Sequence, residues 1–283
     1  MSKIKIIVCC HKDDIYKSSD VYLPIHVGKA ISNTELGILG DDSGDNISNK
    51  NQSYCELTGM YWAWKNLKDV DIIGLCHYRR YFDFNHIGRR FFPITTIKSN
   101  DFNKINLDLP REVESLFKQG GVVIAKPYHL STSVYQQYCE RHYGSDFRII
   151  GDIIRETLPP KYLQAFWNTQ LKSNTFSPFN MFVMRWEQFD DYCHWLFPLL
   201  QMAEDRINIT NYSSSQKRIF GYMAERLLNL YIAAEKIKTK HYPVIRFSDE
   251  KEIYDMSTIK YFTKTMLKDF ATNLLSIVDN RHI

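Results

Sequence analysis

Ile72-Ile73-Gly74-Leu75-Cys76, followed at once by His77-Tyr78-Arg79-Arg80-Tyr81, decides the fold. An apolar run without polar alternation reads as a strand buried on both faces, the habit of parallel sheets in α/β proteins. Ligands of such sheets bind at the carboxyl ends of the strands. His77, Arg79 and Arg80 stand there as a candidate anion site. Two guanidiniums can hold a diphosphate by forked hydrogen bonds without a metal. Successive residues of an extended chain point to opposite sides, so one Arg of the two is expected to reach the ligand directly. A solvated basic turn is the plain alternative. His77 could instead bind a metal, but no evident partner set accompanies it.

Toward the amino terminus, Lys3 to Cys10 carries the run Ile4, Ile6, Ile7 and Val8 and reads as a second buried parallel strand. It opens into His11-Lys12-Asp13-Asp14, which makes His11 and Lys12 candidate ligand contacts. Residues 20–55 are polar and turn-rich, with the run Asp41-Asp42-Ser43-Gly44-Asp45-Asn46. Asp45, Asn46 and Ser48 are read as partners of ribose or sugar hydroxyls, with a Gly-Asp turn as the alternative. The acidic spacing does not follow the EF-hand pattern. Ser53 and Glu56 fit a capping box, and Leu57, Met60, Tyr61 and Trp64 share one helical face, so a helix is expected from Ser53 to Asn66.

Gly121 to Ala125 and Phe179 to Met184 read as further strands. Helices are expected over 133–143, 146–157 and 187–200, and from Ser213 or Ser214 to about Ile237. The order predicts an α/β fold with a mixed, mainly parallel sheet and a helical C-terminal part. No repeat, low-complexity tract or linker divides the chain, so one domain is expected over 1–248. Residues 249–283, with Ile259, Phe262, Met266, Phe270 and Leu274 on related faces, read as an amphipathic helical tail. It would dock on its own domain or lie on a bilayer surface.

The net charge of +4, from 36 basic and 32 acidic residues, is too small and too evenly spread for a nucleic-acid partner. It suits an acidic small substrate or loose contact with an anionic membrane face. The eighteen Tyr, seventeen Phe and five Trp supply flat surfaces that suit sugars and bases, although packing explains them as well. None of the six Cys forms a C-x-x-C pair, which argues against a zinc knuckle and for a reducing compartment without disulfides. The start MSKIKIIVCCHKDD lacks a signal-peptide pattern, and no run reaches the ~18 apolar residues of a membrane span. A cytoplasmic protein is expected.

Rossmann, P-loop, nucleophile-elbow and H-E-x-x-H motifs are all missing. Nucleotide-sugar transferases usually hold the diphosphate with a metal on an Asp-x-Asp just after a buried strand. The literal match Asp69-Val70-Asp71 precedes the strand instead, at the wrong end for a ligand. His142 and Asp146, four apart around Gly144, could be a base and its orienting carboxylate, or surface caps. Arg218, Tyr222 and Glu225 form one helical stripe. Glu225 is either half of a buried Arg–Glu pair or a base facing the cleft.

Several segments together resemble a known family. They are Tyr22-Leu23-Pro24-Ile25-His26-Val27-Gly28, Gly44-Asp45-Asn46-Ile47-Ser48 with Asn51, and Tyr54-Cys55-Glu56-Leu57-Thr58 with Tyr61-Trp62-Ala63-Trp64-Lys65-Asn66. Gly74-Leu75 with His77-Tyr78-Arg79-Arg80-Tyr81, Asn180-Met181-Phe182-Val183-Met184, Tyr192-Cys193 with Trp195-Leu196-Phe197, and Arg218 with Phe220-Gly221 and Glu225-Arg226-Leu227 complete the set. This pattern resembles the bacterial capsular and exopolysaccharide glycosyltransferases first catalogued as a domain of unknown function, which include galactofuranosyltransferases. It runs from residue 3 to about 245. The resemblance implies a GT-A-type fold, a UDP-sugar donor and a growing saccharide acceptor, often lipid-linked, in capsule, exopolysaccharide or O-antigen synthesis. It implies galactofuranose as the transferred sugar, with galactopyranose second, and no obligatory acidic metal motif; a divalent metal (Mn or Mg) is the less favoured alternative. Under this reading His11, Lys12, Asp45, Asn46, His77, Arg79, Arg80 and Arg218 hold the donor, and Asp146 or Glu225, with His142, serves the acceptor hydroxyl. A saccharide-binding partner without catalysis and a sugar-nucleotide hydrolase are the competing classes.

Overall fold

An apolar run without alternation can be buried only where both faces of its sheet are covered, and helices and loops cover both faces here. The computed structural model describes residues 2–88 and 92–250. The strands are β1 (Ile4–Cys10), β2 (Tyr22–His26), β3 (Leu39–Gly40), β4 (Ile72–His77), β5 (Arg80–Phe82), β6 (Ile94–Ile97) and β7 (Val122–Ala125). A separate ribbon pairs β8 (Tyr128–His129) with β9 (Thr175–Phe176), and β10 (Phe182–Arg185), β11 (Thr239–Tyr242) and β12 (Val244–Phe247) follow. The helices are α1 (Asn51–Tyr54), α2 (Leu57–Asn66), α3 (Glu112–Lys118), α4 (Val134–Cys139), α5 (Gly144–Thr157), α6 (Pro160–Phe166), α7 (Trp186–Arg206), α8 (Ser214–Lys217) and α9 (Ile219–Ala234).

The main sheet runs β11-β7-β10-β4-β1-β2-β3, with β5 and β12 extending it from β4 and β6 pairing with β12. Strands β11–β7, β4–β1, β1–β2 and β2–β3 pair in parallel, while β10 lies antiparallel between β4 and β7. The fold is therefore α/β with a mixed, mainly parallel sheet, as the buried runs predict. Pleating sends alternate residues to opposite cores. Ile7, Ile73 and Leu75 pack with α2, α5, α7 and α9, whereas Ile6, Val8, Ile72 and Cys76 pack with Tyr81, Val113 and Phe247. At Gly74 the neighbouring β10 comes so close that a Cβ would meet the Phe182 carbonyl oxygen at 2.9 Å.

Several expected boundaries shift for local reasons. The helix expected from Ser53 breaks at Cys55, whose φ of 53° and ψ of −129° separate α1 from α2. No capping box forms there: Ser53 donates to the Lys50 carbonyl, and the Glu56 carboxylate faces Asn180. The strand expected from Phe179 starts only at Phe182, because Phe179 and Asn180 take φ of 77° and 52°. The helix after Ser213 splits at Arg218 into α8 and α9. The stretch read as loop between 20 and 55 contains β2, buried beside β1. Among the described residues no helix is long and apolar enough to cross a membrane. The amphipathic helix expected over 249–283 lies, from residue 251 onward, outside the described residues.

Candidate active site

Parallel pairing of β1 with β4 sets Cys9 opposite His77, so the chain leaves both strands at the same edge. His11 follows the first strand. The tight turn Tyr78-Arg79 follows the second, and Arg80 returns antiparallel opposite His77. The break at Cys55 aims Cys55 and Glu56 at this edge, the break at Arg218 brings Ser214 and Arg218, and α9 adds Glu225 from two turns further on. Arg246, Ser248 and Glu250, at and just after the end of β12, close the other side. The result is a cleft of about 630 Å³ at the carboxyl ends of β1 and β4, with both cationic and anionic walls.

Phe179 and Asn180 hold three of these groups. Left-handed backbone at two consecutive non-glycine residues is costly and persists where surrounding contacts enforce it. Here the Phe179 carbonyl accepts from His77 Nε2 at 2.8 Å, and its ring lies 4.7 Å from the Arg80 guanidinium. Asn180 Nδ2 donates to Glu56 Oε1 at 2.6 Å and to the Gly221 carbonyl at 3.2 Å. A carbonyl can only accept, so Nε2 of His77 carries a proton, and the neutral ring presents Nδ1 as an acceptor.

Burial, followed by repulsion from Arg218 and Lys12, lowers the pKa of His11. Burial also lowers that of His77, against the attraction of Glu56. Burial drives the Glu225 carboxyl up to about 7, with Arg226 opposing and Glu56 reinforcing the shift. That places its proton exchange near neutral pH, where a general base works best. Burial and Glu56 push the Cys55 thiol up to about 12, so it is a thiol and no thiolate nucleophile. Its Sγ accepts from Arg218 Nε at 3.3 Å instead.

The two arginines after β4 separate in role. Arg79 Nη2 lies 2.5 Å from Asp14 Oδ2, and Lys12 Nζ lies 3.7 Å from the same oxygen. Arg80 has no salt-bridge partner among the described residues and faces the cleft over the Phe179 ring.

Six of the residues singled out from sequence therefore meet on one cleft: His11, His77, Arg79, Arg80, Arg218 and Glu225. The other six, Lys12, Asp45, Asn46, Ser48, His142 and Asp146, do not line it. Lys12 turns to Asp14. Asp45 accepts from the Tyr61 hydroxyl, and Asn46 caps the Ser48 amide. Both sit beside Asn66, at the far end of the ten-residue α2 from Glu56, roughly 15 Å away at 1.5 Å per residue. The plain Gly-Asp turn describes them. Asp146 accepts from the Tyr212 hydroxyl at 2.8 Å, while His142 lies 3.2 Å from Gln216 Oε1 and stacks on Tyr222. His142 and Asp146 thus have separate partners and form no base–orienter pair.

Asp71 accepts from the Lys3 amide at 2.7 Å and Asp69 takes a φ of 55°, so Asp69-Val70-Asp71 is the turn into β4, at the edge opposite the cleft. Among the described residues no three His, Cys, Asp or Glu side chains converge to hold a metal ion.

Glu56, Phe179 and Asn180 do not stand out as site residues in the sequence, where Glu56 reads as a helix cap. Asn180 carried a usable signal: Asn tolerates left-handed backbone, and it follows Ser177-Pro178 just ahead of a strand.

No curated protein matches the chain. Residues 5–236 match the family described as Domain of unknown function (DUF4422). Among solved structures, the apo WbbM bifunctional glycosyltransferase is similar, with a TM-score of 0.74 and 32% identity over 88% of this chain and 46% of that one. The chain thus spans somewhat less than half the length of that protein.

Proposed function

The chain belongs to the DUF4422 family, and from that premise we propose that it is a glycosyltransferase with a UDP-sugar donor. One observation carries the reading: Arg80, Arg218, His11 and His77 line a single cleft at the strand ends together with the carboxylates Glu56 and Glu225. The likeness to a bifunctional glycosyltransferase, of which the chain spans 46%, supports it.

In this reading the cationic wall takes the diphosphate. As the bond from sugar to phosphate breaks, negative charge grows on the leaving group, and preorganised cations stabilise it more in the transition state than before. Arg80, which has no salt-bridge partner among the described residues, and Arg218 would do this, with the neutral His11 ring able to donate beside them, while the free Nδ1 of His77 can only accept, from a sugar or ribose hydroxyl. Glu225 takes the proton of the acceptor hydroxyl, and the oxygen attacks in a single displacement that inverts the anomeric centre. Asn180 holds Glu56 in orientation toward the sugar ring, where positive charge develops. Asp146, away from the cleft, is no longer a candidate base.

The donor we favour is UDP-galactofuranose, with UDP-galactopyranose second. The acceptor is a saccharide, lipid-linked, in capsule, exopolysaccharide or O-antigen synthesis, with the enzyme at the inner face of the membrane. These choices rest on the family resemblance. The test is a donor screen with a soluble galactoside acceptor, with and without EDTA. Elongated acceptor plus UDP is expected from UDP-galactofuranose, undiminished by EDTA. Product from no UDP-sugar at all would overturn the reading, and UDP release that ignores the acceptor would point to a hydrolase.

A further inference from the structure

Two routes lead from the cleft to the same pair of tyrosines. Along the chain, Ser214 lines the cleft and Tyr212 stands two residues before it. Through the rings, Arg218 on the cleft wall lies 5.5 Å from the Tyr222 ring, and Tyr222 stacks on His142 at 4.2 Å. The residue after His142 is Tyr143, whose ring packs against Tyr212 at 4.7 Å. Tyr143 is 50% exposed, one of the few large apolar side chains left open to solvent among the described residues.

The pair is held firmly. The Tyr212 hydroxyl donates to Asp146 at 2.8 Å. Gln216 straps the two segments together: its Nε2 donates to the Arg141 carbonyl at 2.7 Å, and its Oε1 meets His142 Nδ1 at 3.2 Å. His142 and Asp146, prominent in the sequence yet off the cleft, thereby act as positioning residues for this surface.

The surroundings define the ligand chemistry. Residues 207–216, INITNYSSSQ, carry no charged side chain, and Asn208, Thr210, Asn211 and Ser213 are exposed beside the rings. A fixed aromatic face flanked by uncharged amides and hydroxyls suits a neutral sugar ring, whose C–H face covers the aromatic while its hydroxyls find partners.

We propose that Tyr143 and Tyr212 form a subsite for a hexose unit of a saccharide acceptor, outside the cleft where transfer occurs. The direction of the saccharide rests on the transferase reading; its binding does not. Tyr143 precedes α5 without a side-chain cap bond, so its truncation leaves the fold intact.

The experiment titrates wild type, Tyr143→Phe and Tyr143→Ala with a galactotetraoside and with methyl galactoside, in the absence of donor. The tetraoside is expected to bind wild type and Tyr143→Phe alike and Tyr143→Ala roughly ten-fold more weakly, the scale of losing one aromatic contact. UDP affinity should be the same in all three. Equal tetraoside binding to wild type and Tyr143→Ala, or none to wild type, overturns the subsite. If binding depends on Tyr143 while no donor supports transfer, the subsite stands and the transferase reading falls. If transfer occurs with an unchanged acceptor KM in Tyr143→Ala, the subsite alone falls.

Discussion

Glu225 combines burial with nearby cations, and its raised pKa has two consequences of opposite practical sign. As a base it must be deprotonated, so kcat/KM should rise with pH through about 7, the value of its folded-state pKa. For stability the sign reverses. The folded pKa lies above the ordinary carboxylate value, so the folded state favours the protonated form. This contribution is fully present below the unfolded pKa and is lost as pH rises through about 7. Glu225→Gln should therefore lower kcat at least roughly 100-fold. It should also stabilise the protein at pH 8 by roughly 2 kcal/mol, and not at pH 4.5. Thermal melts at both pH values, beside a transfer assay, check the pair of signs. The two arginines should also part company. Arg80→Ala should cost about 2–4 kcal/mol of transition-state stabilisation, the scale of losing an oxyanion donor. Arg79→Ala should cost less in rate, because Arg79 is already committed to Asp14; the kcat/KM ratio of the two variants measures the difference. The basic run beside the strand was legible in sequence because a strand end and a cation cluster are both local. Their division of labour was not, since Asp14 lies 65 residues away and the partnership is purely spatial.

Among the elements, the breaks carry the site. A continuous helix from Ser53 to Asn66 would have buried Glu56 in a regular turn; the kink at Cys55 turns it into the cleft. The Phe179–Asn180 turn does the same for His77 and Arg80. Asn180→Gly keeps access to left-handed backbone but removes the bonds to Glu56 and to the Gly221 carbonyl. It should lower kcat/KM by roughly ten-fold or more, on the scale of one hydrogen bond to a charged group, and lower the melting temperature only modestly. A large fall in melting temperature with unchanged kinetics would make Asn180 a folding residue only. At the centre of the sheet, Gly74→Ala should destabilise by about 1–3 kcal/mol through overpacking against β10, read from denaturant midpoints. The central buried strands were readable because continuous apolar runs have a single good solution. The kinks were not, because positive φ at Cys55 and Phe179 is imposed by tertiary contacts against local preference. β2 was hidden by its turn-rich surroundings, and its burial comes from pairing with β1.

For the whole molecule, the sheet delivers widely separated segments to one edge: residue 11 after β1, residues 77–80 after β4, residues 55–56 and 218–225 from helix breaks, and residues 246–250 at the end of β12. The mild net charge of +4 agrees with a small anionic substrate bound in a local cationic pocket. Membrane association is a separate proposal and rests on the tail. If it holds, the intact chain should float with anionic liposomes at low salt, and a chain ending at residue 250 should not. We propose that this edge binds a nucleotide diphosphate-sugar and transfers the sugar. The test is UDP release from UDP-galactofuranose in EDTA, with and without a galactoside acceptor, for wild type and Arg80→Ala. Acceptor-dependent release by wild type, reduced by roughly 30-fold to 1000-fold in Arg80→Ala, is the predicted result. Equal release by the two proteins, or release indifferent to acceptor, would contradict it.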